Sequence, residues 1–323
     1  GIPDRTPFAI DQGDTRLDEA TFRAVHLAPY VDAVNTGAQT VMASFSRWNG
    51  DKLHAHHYLL TEVLKGELGF SGFIVTDWRG IYEVSNDTYQ AMVACINAGI
   101  DMSMVPFDYQ RFISETIRAV ENGDIPMARV DDAVRRILTV KMNAGLFERP
   151  DADDQYLHLV GCQDHRALAR EAAAKSAVLL KNKDQILPLS KDQPRILVAG
   201  LWADNIGYQC GGWTVEWLGA SGNITPGTSI LDAIRTTVST ETMIDFDPDG
   251  VSSDVEAEAG LVFLGELPYA EGFGDRADLA LGEDDIVLLE RIRRRCQKLI
   301  VVLVTGRPLI ITEQLPLMDA LVV

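Results

Sequence analysis

Along the first half of the chain, short apolar runs alternate with longer amphipathic ones. TVMASFS (40–46) is a β-rich run, and a helical stretch follows over about 57–68. GFIVTD (72–77) is a short apolar strand that ends on a charge, followed by an amphipathic helix over about 84–98. IDMSM (100–104) predicts a third strand, with helices after it near 109–121 and 130–143. Strand and helix alternating at this spacing predict parallel βαβ units, so functional groups are sought where strands end and loops begin.

The pattern breaks after Gly145. Pro150 and the DADD run that follows it predict a linker. A helix is expected from His165 to about Leu180, closing on AVLL. RILVAG (195–200), TMIDF, GLVFLGE (260–266), LIVVLVTG and the final ALVV predict strands, with helices at 229–238 and about 284–298 between them. The organisation expected is a first domain over 1–144, a linker over 145–164, and an α/β domain over 165–323 that is incomplete at its C-terminus.

Composition narrows the class. The 323 residues suffice for two domains, and 46% hydrophobic with 24% charged residues is ordinary for a globular protein. No apolar run is long enough to insert in a membrane as a spanning helix. A net charge of −18 argues against a nucleic-acid partner and favours a neutral substrate, although it also serves solubility. The four cysteines form no CxxC pair, and Cys95 and Cys296 read as buried thiols.

Four segments could carry chemistry. In GFIVTDW (72–78), Asp77 follows a strand directly and Trp78 offers a flat face to a sugar ring; the plainer alternative is a helix cap and a core indole. In RWNGDKLHAHHYL (47–59), Asn49-Gly50 signals a turn, and His54, His56 and His57 lack metal-ligand spacing, which leaves them as surface or hydrogen-bonding groups. ADNIGYQCGGWTVEW (203–217) projects Trp213 from a glycine turn and lacks a nucleotide-binding fingerprint. GLVFLGELPYAEGFGD (260–275) ends a strand on Glu266 and continues into an irregular loop with Glu271 and Asp275. Two strand-end carboxylates with two tryptophans are the equipment of glycoside hydrolysis, one acid attacking and the other donating a proton.

The run from TVMASFS to GFIVTDW (40–78) resembles the end of the catalytic domain of glycoside hydrolase family 3, a TIM-like barrel followed by an α/β sandwich. HRALAREAAAKSAVLLKNKDQILPL (165–189) resembles the opening of that family's second domain. The 203–217 and 265–275 segments resemble its exo-1,3/1,4-β-glucanase and β-glucosidase branch. The fold class implied is α/β: the C-terminal part of a TIM-like (β/α)8 barrel, then an α/β sandwich with an open, mostly parallel sheet. The resemblance implies Asp77 as nucleophile and Glu266 as acid/base, with Glu271 in reserve. It implies Trp78 and Trp213 as a clamp beyond the scissile bond, and Met42 and Phe45 as lining of the first sugar pocket. Phe45 departs from a tyrosine of some relatives, removing a hydrogen bond.

What this implies is a retaining, exo-acting β-glucan glucohydrolase or β-glucosidase that releases glucose from non-reducing ends, without cofactor or metal, and is secreted or periplasmic. The alternatives are an N-acetyl-β-glucosaminidase, whose kind commonly lacks the second domain, and a non-catalytic glycan-binding relative. The family's residues that grip the terminal sugar are expected upstream of Gly1, and only about three of eight barrel strands fall within the chain. The abrupt start and the MDALVV end are therefore expected to be truncations, and the isolated 323-residue polypeptide is expected to be inactive and poorly stable.

Overall fold

The computed structural model describes residues 12–252 and 254–323; the opening Gly1 to Asp11, which holds most of the abrupt start noted above, lies outside the described residues. The chain divides into two units, up to Asp154 and from Gln155 onward.

The first unit runs β1 (Asp14–Thr15), α1 (Glu19–Phe22), a π-helical turn (Arg23–Leu27), α2 (Ala28–Asn35), β2 (Thr40–Met42), β3 (Arg47–Trp48) and β4 (Asp51–Lys52). A π-helical segment (Tyr58–Glu67), β5 (Phe73–Val75), α3 (Thr88–Ala98), α4 (Tyr109–Glu121) and α5 (Met127–Asn143) complete it. Asn49 and Gly50 both take positive φ, 52° and 99°, which is the two-residue turn that closes the β3–β4 hairpin. The helix expected from residue 84 starts at Thr88, because the Asp87 carboxylate accepts from the Tyr89 and Gln90 N–H groups and caps it there.

Strands β2 and β5 pair in parallel, Thr40 with Phe73 and Met42 with Val75. Phe70, Ile74, Met92, Cys95 and Ile100 form the core around them. Burial pushes the Cys95 thiol up to about 12, so it is inert packing. The third strand expected at 100–104 is reduced to one bridge, Val75 with Met102. Side chains take over part of the ladder. Asp101 Oδ2 accepts the Ile74 N–H at 2.8 Å, and Thr76 Oγ1 accepts the Met104 N–H at 2.8 Å.

Asp101 is the hub of a buried ionic cluster. Its side chain is fully inaccessible, Lys65 Nζ lies 2.8 Å from Oδ1, and Arg129 pairs with the same oxygen. Burial pushes the Lys65 ammonium down, with Asp101 opposing that shift. Asp132 joins Arg129 to Arg136, whose Nη1 donates to the Phe70 and Gly72 carbonyls at 2.8 and 2.9 Å. The cluster fixes the entry to β5.

The second unit contains α6 (Gln163–Ser176), β6 (Leu179–Asn182), β7 (Arg195–Ala199), α7 (Ile206–Cys210), α8 (Ile230–Thr237), β8 (Met243–Phe246), β9 (Ala257–Gly265), α9 (Glu283–Arg295), β10 (Cys296–Val304) and β11 (Ala320–Val322). Helix α6 ends earlier than the sequence suggested. Its AVLL extension leaves the helix at Ala177 and enters β6, antiparallel to β11, with Val178 and Val323 exchanging backbone hydrogen bonds of 2.7 and 2.9 Å. An apolar run beside an open strand edge gains a ladder that a helix could not offer it.

The sheet order is β6-β11-β10-β9-β7-β8, parallel throughout except β6. Alternate residues face opposite layers. Leu197, Val262, Leu264 and Val301 pack with Leu289 and Ile292 of α9, while Ile196, Val198 and Phe263 pack with Leu231 of α8. Both faces are covered, which is why these strands read as continuous apolar runs. The parallel part of the sheet starts at β7, steps outward to β8, then returns to the other side at β9. Beyond the carboxyl ends of β7 and β9 lies the switch point where such sheets place functional groups.

Asp101→Ala is expected to destabilise the protein by about 3–5 kcal/mol, since Lys65 and Arg129 would lose the buried carboxylate they share and keep only the partly exposed Asp132. Urea unfolding of the variant against wild type measures it.

Candidate active site

Asp77 stands just past the end of β5, one residue after buried Thr76. Its Oδ1 accepts the Trp78 N–H at 2.6 Å, and Oδ2 has no partner among the described residues. Asp77 is not a helix cap. The next turn, Gly80–Glu83, has no side-chain cap, and the residue before it, Arg79, is left-handed at φ 56°. Trp78 is not a core indole either: it is 54% exposed, with its ring edge-on to Phe107 at 6.0 Å. Met42, 53% exposed, ends β2 opposite Val75, so it lies on the same rim as the Asp77 loop. Phe45 is half-buried and its ring lies 5.5 Å from that of His54.

His54 is fully buried, and its Nε2 accepts the Asp77 backbone N–H at 3.1 Å. Lys52 approaches the same region, donating to the Phe45 carbonyl at 2.9 Å and pairing with Glu83 at 2.8 Å. Burial lowers the His54 imidazole to about 4, against the pull of Asp77 in the other direction. The neighbouring histidines point elsewhere. The His56 ring lies tilted against Trp48 and its Nδ1 accepts the Leu59 N–H, while His57 lies 3.4 Å from Glu62. Among the described residues no group of three or more His, Cys, Asp or Glu side chains gathers as metal ligands would.

In the second unit, Glu266 follows β9 directly and is 9% exposed. Both of its oxygens are engaged. Oε1 pairs with Arg276 at 3.2 Å, and Oε2 takes the Thr305 hydroxyl at 2.8 Å and Arg307 Nε at 3.3 Å. Arg307 also donates to the Tyr269 hydroxyl at 3.0 Å and lies over its ring at 4.3 Å. Glu271 differs from Glu266 in each respect. It is exposed, starts a short turn at φ 50°, and has no partner among the described residues.

Trp213 is 68% exposed at φ 62°, on a loop that also presents Trp217. The Trp217 ring meets Trp213 edge-on at 6.4 Å and Phe273 at 5.4 Å. The two loops interlock: a Cβ on Gly212 would lie 2.1 Å from the Tyr269 carbonyl oxygen, and one on Gly219 would lie 2.6 Å from Pro268 Cβ.

Sequence reading singled out Asp77, Trp78, Met42 and Phe45, which the structure gathers around the ends of β2 and β5, and Trp213, Glu266 and Glu271, which it puts on one pair of loops. It missed His54 as a partner of Asp77, Phe107 beside Trp78, and Trp217 with Phe273 beside Trp213. The aromatic WTVEW spacing was visible for Trp217; the His54 contact spans 23 positions and leaves no local signature.

Residues 9–140 match the N-terminal domain of glycosyl hydrolase family 3, and residues 177–323 match its C-terminal domain. The chain belongs to glycosyl hydrolase family 3. It is 32% identical to the lysosomal β-glucosidase of Dictyostelium discoideum, over 93% of this chain and 40% of that protein. The crystal structure of the exo-1,3/1,4-β-glucanase from a Pseudoalteromonas species is similar with a TM-score of 0.85 and 38% identity, over 97% of this chain and 40% of that one. The β-glucosidase from Listeria innocua in complex with glucose gives 0.80 and 26%, over 96% of this chain and 44% of that one. These likenesses bear out the family-3 fold expected from the motifs, the end of a TIM-like barrel and then an α/β sandwich. The chain spans less than half the length of the curated relatives it matches. No helix among the described residues is long and apolar enough to cross a membrane.

The buried imidazole carries a pH signature. His54 titrates near 4 when folded, below its ordinary 6.5, so the unfolded chain takes up the proton first. Its share of stability is complete above pH 6.5 and declines as pH falls through 4. Denaturant midpoints across that range should show the gap between wild type and His54→Phe closing in acid.

Proposed function

We propose that this family-3 chain carries the catalytic groups of a retaining, exo-acting β-glucosidase. The observation that carries the reading is the Asp77 carboxylate at a strand end, with one oxygen held by the Trp78 N–H and the other unengaged beside an exposed indole. An attacking carboxylate needs that arrangement, one oxygen orienting the group and the other reaching the anomeric carbon.

In the first step Asp77 Oδ2 forms a bond to the anomeric carbon while the bond to the glycosidic oxygen breaks. The departing oxygen takes a proton from a carboxylic acid. The glycosyl ester then yields to water, whose proton returns to that acid, and glucose leaves with net retention. For the acid we favour Glu271 over Glu266, which reverses the order expected from sequence. Glu266 is sequestered with both oxygens bonded, so it has none to present to a leaving group. Glu271 is exposed and unengaged, and the Arg276–Glu266–Arg307–Tyr269 contacts anchor its loop. Trp78 and Trp213 supply ring faces, which read a pyranose without demanding one hydroxyl pattern and so suit a β-glucan of mixed linkage.

In the full-length protein, Asp77→Asn is expected to abolish hydrolysis of an aryl β-glucoside, and NMR of the wild-type reaction should show the β-anomer of glucose first. Inversion, or an active Asp77→Asn variant, would sink the reading. Glu271→Ala is expected to lower turnover of poor leaving groups by about 10²–10⁴-fold, while sparing the first step on a dinitrophenyl glucoside. Azide should then return a β-glucosyl azide. If Glu266→Gln shows that behaviour and Glu271→Ala does not, the assignment of the acid is reversed.

A further inference from the structure

His54 makes a contact that packing alone does not explain. A buried backbone N–H needs an acceptor, and for Asp77 that acceptor is an imidazole nitrogen delivered from the short 3-10 turn Leu53–Ala55 that follows the β3–β4 hairpin. Nε2 can accept only if the ring is neutral with its proton on Nδ1. Nδ1 is itself buried and has no hydrogen-bond partner among the described residues. A stranded ring N–H is costly, and the other tautomer would set two N–H groups against each other at Asp77. The fold thus carries one unpaired donor on the ring while keeping the acceptor at Asp77.

The surroundings hold the ring in that pose. A Cβ on Gly80 would lie 2.2 Å from His54 Nε2 and 2.6 Å from Cε1, so the ring packs flat on a residue that must be glycine. The Gly80 N–H donates to the Asp77 carbonyl at 3.0 Å, closing the turn above it. Phe45 covers the ring, and the charged groups that act on it are Asp77, Lys52 and Glu83.

We propose that His54 is a positioning residue for the attacking carboxylate: its Nε2 fixes the Asp77 backbone, and with it the direction from which Oδ2 approaches the anomeric carbon. This rests on Asp77 being the nucleophile. His54 touches no reacting atom, and its effect is felt in the transition state more than in substrate binding.

The test uses the full-length protein and a 2-deoxy-2-fluoroglucoside that traps the glycosyl ester. His54→Phe keeps the ring volume and removes the acceptor; it is expected to lower kcat and the trapping rate together by roughly 10–100-fold, with KM nearly unchanged. His54→Gln, which places an amide oxygen near the Nε2 position, is expected to recover most of that loss. A folded His54→Phe variant that is trapped at the wild-type rate overturns the proposal, as does a folded His54→Gln variant that loses as much as His54→Phe. Ring ¹⁵N shifts of wild type at pH 7 provide a check that needs no variant. The Nδ1–H tautomer supports the proposal, and an Nε2–H tautomer or an imidazolium overturns it. Asp77→Asn separates the two layers. If it is inactive while His54→Phe is normal, only the role of His54 falls; if it is active, the nucleophile assignment falls as well.

Discussion

The carboxylate of Asp101 holds the strand on which the chemistry of the first unit depends. Strand β5 has only three residues, too few for its ladder to fix it alone. Asp101 takes the Ile74 N–H with one oxygen and two cations with the other. At the far end, Thr76 reaches Met104 and His54 reaches Asp77. Held at both ends, the strand presents Asp77 with little freedom to wander, which is what the proposed role of Asp77 as an attacking group requires.

The second unit solves a comparable problem differently. There the strands are long, the sheet is covered on both faces, and Glu266 emerges where the strand order reverses. What the loop beyond it lacks in regular structure is supplied by Arg276, Arg307 and Thr305 gathered on one carboxylate. Glu266 ends a strand, and its contacts with Arg276, Arg307 and Thr305 tie the loop beyond it to the sheet.

Strand–helix alternation, the Asn49-Gly50 turn and the doubly covered sheet could be read from the chain because each is written in neighbouring residues. The strand at IDMSM could not, since Asp101 and Thr76 replace ladder bonds with side-chain bonds, and no local pattern announces that substitution. Nor could the end of α6, where an open strand edge claimed residues that suit either state. For the site, strand-end placement exposed Asp77 with Trp78 beside it, and a glycine turn exposed Trp213. The engagement of Glu266, on which the proposed choice of Glu271 rests, was not legible, because it depends on where Arg276, Thr305 and Arg307 point.

The interlocked glycines of the second unit have an evolutionary consequence. Gly212 approaches Tyr269, and Gly219 approaches Pro268, so closely that a single methyl group would collide. The loop bearing Trp213 and the loop bearing Glu271 therefore cannot drift separately; a length change or a side chain in one must be answered in the other. Ring-face recognition and the proposed proton donor would be inherited as a single cassette. New specificities in this lineage would then arise by exchanging both loops at once, or by altering aromatic identity within them, while their backbones stay fixed.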